Sequence, residues 1–186
     1  MPKPAGPPVV RRAQSKDLEA VARLWEELRR SATRWGPQAP PVTLDALRER
    51  LSTLADSEEH EVVVAEVDGE AVGVAVFSSV RLNALTDERS LQISFMHVRD
   101  DSRRKGVGRA LLEAASTRAV EAQTEFVSVA VFPHARESNR FFARIGFSPY
   151  SVRRAIPTTA LQRKLGAEPI AHRRLLARRR SERLAD

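Results

Sequence analysis

A strand, a glycine-containing turn, a helix and a second strand follow one another in the second half of the sequence. The predicted elements are a strand at Leu91–Val98, a polar turn at 99–108, an amphipathic helix at Arg109–Ala122 and a strand at Glu125–Phe132. Two strands joined by a helix in this way lie parallel in one sheet. Because parallel strands need helices to cover them, this unit predicts an α/β fold.

Further strand and helix patterns flank this unit. They are an extended segment at Val9–Gln14, helices that begin at Ser15 and Thr43, strands at Glu61–Val67 and Glu70–Val80, a helix at Arg136–Ile145, and strands at Phe147–Ile156 and Thr158–Leu165. Asp68 and Gly69 form a two-residue hairpin signal between two of these strands. The order of elements is therefore β-α-α-β-β-β-α-β-α-β-β.

The length of 186 residues suits one domain with a proper core. We expect a disordered, proline-rich lead-in over residues 1–8, a domain over 9–165 and a basic helical tail over 166–186. No apolar run approaches the roughly 20 residues that cross a bilayer, and the first residues lack the apolar segment of a secretory signal. We therefore expect a cytoplasmic protein with no membrane partner.

The positive charge is concentrated in the tail. The formal net charge is +7, of which +5 falls within residues 161–186. Arginine outnumbers lysine 27 to 4 in the whole chain, so the arginines alone do not indicate nucleic-acid binding. Since the tail has no interleaved aromatic residues for base stacking, docking of a tail helix or a homodimer contact is favoured over a nucleic-acid partner.

The chain has no cysteine, which excludes disulfides, a thiolate nucleophile and cysteine metal sites. Its four histidines do not show the H-x-x-x-H spacing of a zinc-binding helix. We expect no metal cofactor.

The polar turn before the second-half helix carries the motif R-x-x-G-x-G from Arg103 to Gly108. Glycines at 106 and 108 allow a turn in which successive backbone N–H groups converge on one point. The N-terminus of the following helix is positive and points at the same place, which suits an anion such as a diphosphate. A basic surface turn before an ordinary helix is the alternative.

Four segments together resemble the GNAT superfamily of acetyl-CoA-dependent N-acetyltransferases, over about residues 8–165. They are VVRRAQSKDLEAVARLWEEL, VVVAEVDGEAVGVAVF, MHVRDDSRRKGVGRALL and VSVAVFPHARESNRFFARIGF. The resemblance implies a mixed sheet of six to seven strands flanked by about four helices. It implies transfer of an acetyl group from acetyl-CoA to a primary amine of a small molecule or peptide.

The resemblance also implies roles for individual residues. The strand ending at Val98 would bind the pantetheine arm through its backbone, and the turn after it would wrap the pyrophosphate. The thioester would lie where Phe126–Val131 splays away from that strand. Asn139 would flank the thiol end, or would be a solvated helix residue. The implied cofactor residues are Met96, His97, Val98, Arg103, Arg104, Lys105, Gly106, Val107, Gly108, Arg109, Asn139 and Phe142.

The sequence departs from the family where catalysis is concerned. Phe142 stands where several members have a tyrosine that protonates the thiolate, and Ala135 stands where their helix begins with asparagine. The inward strand positions Gln92, Ser94 and Ala130 do not titrate near neutral pH. The resemblance therefore assigns neither a general base nor a general acid.

Three residues remain catalytic candidates. Ser94 could hold a water that relays the proton of the amine. His134 has a suitable intrinsic pKa, against the alternative of a loop histidine without a role. Tyr150 could replace the missing tyrosine, or it could be an aromatic side chain that only fills space in the fold. We expect His97 to point to the face of its strand away from the thioester and to pack there.

The acceptor side is expected near Trp25, Trp35 and the loop 34–41, because the segment between the first two helices borders the acceptor in the family. Asp87 and Glu88 could bind a cationic amine, or form a solvated charge run. A backbone N–H, that of Val98, would hold the developing oxyanion. The alternative function is a non-catalytic acyl-CoA-binding or sensing module that uses its basic tail for partner or nucleic-acid contact.

Overall fold

The computed structural model describes residues 6–32, 43–55, 57, 59–82, 85, 87–133, 135–152 and 154–166. The chain divides into two compact units, residues 1–147 and 148–186. Within the described ranges, no helix is both long and apolar enough to span a membrane.

The described part of the first unit contains one five-stranded sheet and four α-helices. In chain order these are β1 (Val9–Arg12), α1 (Leu18–Ala32), α2 (Leu44–Ala55), β2 (His60–Val67), β3 (Glu70–Arg81), β4 (Arg89–Val98), α3 (Val107–Glu121), β5 (Phe126–Val129) and α4 (Arg136–Ile145). The strands lie in the order β1-β2-β3-β4-β5. The first three pairings are antiparallel, and β4 and β5 are parallel. The predicted mixed α/β architecture is confirmed.

The β2–β3 hairpin turns at the predicted residues. Asp68 and Gly69 have φ of 51° and 82°, so both occupy the left-handed region. A two-residue turn with two positive φ angles has the twist that continues both strands.

Helices cover both faces of the sheet. The face toward α3 buries Val63, Ala65, Val72, Ala75, Phe77, Leu91, Ile93, Val107, Leu111, Ala115 and Ala119. The face toward α1 and α2 buries Val21, Leu24, Leu51, Val62, Val64, Val74 and Val76. Because both faces are apolar, β2 and β3 read as nearly continuous β-branched runs rather than as alternating strands.

The predictions for the C-terminal strands are wrong. Residues 147–152 and 154–157 form neither helix nor strand, and Thr158–Lys164 is a helix, α5, in the second unit. Pro149 has no N–H to donate to a neighbouring strand, and the side chains of Tyr150 and Val152 are exposed. No contact among the described residues therefore stabilises a strand at this place. Five strands result instead of six to seven.

Several boundaries also differ. The second helix begins as predicted, with Thr43 Oγ1 accepting a hydrogen bond from the N–H of Ala46 at 3.2 Å. Helix α3 begins two residues early, because Gly106 adopts the left-handed conformation directly before it. Strand β5 is shorter than the predicted Glu125–Phe132. Residues 1–5 of the lead-in and 167–186 of the tail lie outside the described residues.

Candidate active site

Strands β4 and β5 diverge halfway along β4. Their ladder runs from the Ser90–Phe126 pair to the Ile93–Val129 pair. The N–H of Ala130 donates to the carbonyl of Ile93 at 3.2 Å, just past the ladder. Beyond this point β4 continues to Val98, and among the described strands it is paired there only with β3. The sheet therefore presents an unpaired strand edge inside the first unit, next to the parallel crossover.

A β-bulge lies at the same point of β4. Val76 faces Phe95 and Phe77 faces Ile93, so Ser94 is an extra residue without a partner on β3. A bulge shifts the alternation of side chains by one position. Ile93 therefore faces α3, whereas Phe95 packs toward α1.

The backbone alternation shows which amides face the unpaired edge. The N–H of Arg99 donates to the carbonyl of Val72, at 2.9 Å, and thus points toward β3. In an antiparallel ladder every second residue points its N–H and C=O to the same neighbour. The backbone groups of Met96 and Val98 therefore point away from β3, to the side on which an extended ligand could pair with them.

The turn between β4 and α3 concentrates free backbone donors. Arg104 and Gly106 have φ of 62° and 83°, so both occupy the left-handed region. The N–H groups of residues 104–109 find no acceptor among the described residues, and the first α3 bond joins Ala110 N–H to the Gly106 carbonyl, at 2.9 Å. Converging free N–H groups at a helix N-terminus form an anion site.

The cationic side chains of this turn fall into two classes. Arg103 pairs with Asp100 and with Glu137 of α4, at 2.8 and 3.1 Å, and Arg109 pairs with Glu113 at 2.8 Å. Arg104 and Lys105 are exposed and make no ion pair with any described residue. These two side chains are therefore the cations at the turn that need not give up a partner to meet an anion.

Glycines also set how closely α3 approaches its neighbours. A Cβ on Gly108 would lie 3.3 Å from Cζ of Phe141 and 3.5 Å from Cε of Met96. A Cβ on Gly73 of β3 would lie 2.9 Å from Cγ1 of Val107, which is itself almost fully buried. The side chain of Val107 therefore belongs to the core, and only its backbone can contribute to the anion site. The packing role of Gly73 was not anticipated from the sequence.

Asn139 and Phe142, the two α4 residues that the resemblance implies for the cofactor site, both make contacts within the fold. Asn139 donates through Nδ2 to the carbonyls of Phe132 and Ala135, at 3.0 and 2.9 Å, and so ties the preceding loop to α4. Phe142 is 7% exposed and packs edge-on between Phe141 and Phe147, with ring centroids 5.1 and 5.4 Å away.

His97 is buried under α1. Its Nε2 lies 3.4 Å from a carboxylate oxygen of Glu27, and the ring is 5% exposed. Burial lowers the pKa of His97, with Glu27 opposing that effect, so the ring is neutral at pH 7. Strict alternation would put His97 on the opposite face from Ser94, but the bulge brings both to the α1 face. The burial fits the expected packing role.

The structure describes two of the three catalytic candidates, Ser94 and Tyr150, and they belong to different units. Ser94 is exposed, and its Oγ lies 3.1 Å from Oγ of Ser78 on β3. Tyr150 is exposed in the second unit. His134 lies outside the described residues, as does the whole of the 34–41 segment, including Trp35. Trp25 packs against Phe95 of β4, with ring centroids 5.0 Å apart.

The acidic residues Asp87 and Glu88 lie at the far end of the β4–β5 ladder from the point of divergence. Asp87 pairs with Arg81 at 3.2 Å. Both acids line a pocket of about 230 Å³, together with Arg89, Gln123, Glu125 and Phe126.

Sequence reasoning missed two partners in this region, Ser78 behind Ser94 and Glu137 beside Arg103. The bulge did leave a signal in the sequence. The residues facing α3 change from odd numbers (Leu91 and Ile93) to even numbers (Met96 and Val98), which marks one extra residue in between.

Comparison with known proteins gives a consistent assignment. The model of the acetyltransferase (GNAT) family matches residues 21–147. A comparison with curated protein sequences gives no match. The fold is similar to that of three solved structures. The aminoglycoside N-acetyltransferase AAC(6')-Iy in complex with CoA is 18% identical, with TM-score 0.69 over 85% of this chain and 98% of that one.

The other two are similar to the same degree. A transcriptional regulator from Bacillus halodurans C-125 is 18% identical, with TM-score 0.68 over 81% of this chain and 99% of that one. A ribosomal-protein-alanine N-acetyltransferase from Brucella melitensis is 18% identical, with TM-score 0.64 over 82% and 99%. At these identities the structures show a shared fold, and the family match covers more than half of the sequence. The chain belongs to the GNAT family of acetyltransferases.

Proposed function

We propose that the chain binds acetyl-CoA along the free half of β4 and transfers the acetyl group directly to a primary amine. The observation that carries this proposal is one continuous path of backbone groups that make no backbone hydrogen bond with any described residue, although the Val98 carbonyl accepts Nε–H of the Arg103 side chain at 3.4 Å. It begins at Met96 and Val98 on the unpaired edge and continues into the free N–H groups of the turn that starts α3.

The residues present fit such a cosubstrate. An extended arm with amide groups can pair with the backbone of Met96 and Val98 as a further strand would. A diphosphate can accept hydrogen bonds from the N–H groups of residues 104–109, with added charge from Arg104 and Lys105. Arg103 and Arg109 are assigned smaller roles, because both already have carboxylate partners.

The reaction that we propose needs no covalent enzyme intermediate. A C–N bond forms between the amine nitrogen and the acetyl carbonyl carbon, and the C–S bond breaks with its electron pair going to sulfur. The proton lost from nitrogen ends on that sulfur, so the products are an amide and a free thiol. The N–H of Met96 is assigned to hold the carbonyl oxygen, where negative charge develops, in place of the expected Val98, because Val98 lies four residues beyond the divergence at Ser94, roughly 13 Å along the strand.

The acceptor is proposed as an amine of a small molecule or a peptide. Two similar structures are N-acetyltransferases named for an aminoglycoside and for a ribosomal-protein alanine. The acceptor would approach from the α1 face, where Ser94 is exposed beside the divergence of β4 and β5.

The proposal is tested by turnover. Acetyl-CoA should raise the melting temperature of the purified protein, because a ligand that binds only the folded state stabilises it. A panel containing an aminoglycoside, a polyamine, an alanine-starting peptide and a lysine peptide should then yield free thiol and an acetylated product for at least one amine. Binding of acetyl-CoA without an acetylated product for any amine class would contradict acetyl transfer by this protein and favour a binding or sensing module.

A second prediction concerns Phe142. Phe142→Tyr should lower the free energy of unfolding by about 1–2 kcal/mol, because it adds a hydroxyl to a side chain that is 7% exposed and packed against Phe141 and Phe147. Turnover should stay within about twofold, since one new peripheral hydroxyl adds no contact at the reacting atoms. Chemical denaturation and thiol release measure the two effects. A tenfold rise in kcat would show instead that position 142 reaches the departing sulfur.

A further inference from the structure

Two pairs of serine hydroxyls lie side by side on the α1 face of the sheet. Oγ of Ser90 donates to Oγ of Ser128 at 2.8 Å, and Oγ of Ser78 lies 3.1 Å from Oγ of Ser94. In each pair one serine is buried, with Ser90 0% and Ser78 7% exposed. The other member is more open, since Ser128 is half-buried and Ser94 is exposed.

The two pairs differ in their position relative to the divergence of β4 and β5. Ser90 and Ser128 lie within the parallel ladder, which runs from residue 90 to residue 93 on β4. Ser94 is the first residue beyond that ladder, and it is the extra residue of the bulge. A bulge beside an active site re-aims a side chain that would otherwise follow the pleat. Only the second pair is therefore presented at the mouth of the proposed acetyl site.

We propose that the Ser94 hydroxyl accepts a hydrogen bond from the attacking amine, and that Ser78 is the positioning residue that holds this hydroxyl in place. This inference rests on the proposed function and adds to it the group that orients the acceptor. The 3.1 Å contact allows Ser94 to donate its own proton to Ser78. Both lone pairs of the Ser94 oxygen then remain available to receive an N–H.

The neighbours of Ser94 within the sheet suit a neutral amine. Gln92 and Phe95 of β4, Ser78 of β3 and Ser128 of β5 carry no charge, and the carboxylate of Glu27 on α1, which packs over this face, lies against His97, three residues further along β4. An amine that gives one N–H to Ser94 directs its lone pair away from that oxygen. Serine does not titrate near neutral pH, so Ser94 orients the nucleophile and does not remove its proton.

The test compares the two serine pairs in the full-length protein, with the amine that gives turnover. Ser94→Ala should lower kcat about tenfold, as expected for the loss of one hydrogen bond made at the reacting group. Ser78→Ala should lower kcat about threefold, because Ser94 remains but loses its orientation. Ser94→Thr should recover most of the native kcat, since threonine keeps the hydroxyl. The affinity for acetyl-CoA should be unchanged in all three variants.

Ser128→Ala and Ser90→Ala are the matched controls, because they break an equivalent pair inside the ladder. Both should keep kcat within about twofold of the native value, even if the melting temperature falls. Equal losses of kcat for both pairs, or an unchanged kcat in Ser94→Ala, would overturn the inference while leaving acetyl transfer intact. A native protein that acetylates no amine would overturn the proposed function and this inference with it.

Discussion

Replacing Arg104 and Lys105 together with glutamate should weaken the binding of acetyl-CoA by about 100-fold, the sum of two lost charged hydrogen bonds. Both side chains are exposed and make no ion pair with any described residue, so the fold does not depend on them. The new carboxylates would also repel a diphosphate at the N-terminus of α3. Isothermal titration with acetyl-CoA measures the change directly.

The matched control is Arg50→Glu with Arg163→Glu, which changes the net charge equally at exposed positions of α2 and α5. This control should bind acetyl-CoA with native affinity to within about twofold. A turn variant that binds as tightly as the control would contradict a phosphate site at this turn. The double variant of Arg104 and Lys105 tests the phosphate site more directly than Gly108→Glu would. A side chain at position 108 would also contact the ring of Phe141, so that it would change packing as well as charge.

The second large effect is expected at Asp17, which precedes α1. Asp17→Ala should lower the free energy of unfolding by about 3 kcal/mol, because it leaves a partly buried guanidinium short of one carboxylate. Asp17 is 6% exposed, and its carboxylate lies 2.6 and 2.9 Å from the guanidinium of Arg11. It also accepts the N–H of Gln14 at 2.7 Å, so the variant loses a helix cap as well. Urea denaturation at pH 7 measures the loss.

The difference between native protein and Asp17→Ala should depend on pH in a defined direction. Hydrogen bonds from Arg11 lower the pKa of Asp17 below its ordinary value near 4. The stabilisation is therefore fully present above the unfolded pKa, and it is lost as the pH falls through the lower folded pKa. The difference should shrink when unfolding is measured at acid pH.

The neighbouring variant Lys16→Ala is the control for Asp17→Ala. Lys16 is exposed and forms no ion pair with a described residue, so this variant should stay within about 0.5 kcal/mol of the native stability. A loss of less than 1 kcal/mol for Asp17→Ala at pH 7 would show that the Arg11 ion pair contributes little. Arg11 also pairs with Glu66 of β2, which would then be its main partner.

Local features of the fold were readable from the sequence, because their causes lie within a few residues. Asp68 and Gly69 predicted a hairpin since both residues tolerate positive φ, and Thr43 predicted a helix start since its hydroxyl caps the next turn. The R-x-x-G-x-G motif predicted the turn before α3 for the same reason, because Gly106 accepts a left-handed backbone.

The C-terminal part shows where local patterns stop being informative. The pattern along Thr158–Leu165 predicts a strand, although the segment contains good helix formers such as Ala160, Leu161 and Gln162. A strand is stabilised only by a neighbouring strand, whereas a helix completes its own hydrogen bonds. Without a described strand partner, the short segment after Pro157 forms α5.

The sequence by itself determined the hairpin, the strand–turn–helix–strand unit and the family, because these depend on backbone preferences and on residues that are close in the chain. Only the tertiary structure decided where β4 leaves β5, which side chains the bulge at Ser94 re-aims, and which cations of the turn are already paired. Ser78 meets Ser94 and Arg103 meets Glu137 only after the sheet and α4 have formed. Contacts between distant segments are set by packing, and packing is a property of the whole fold.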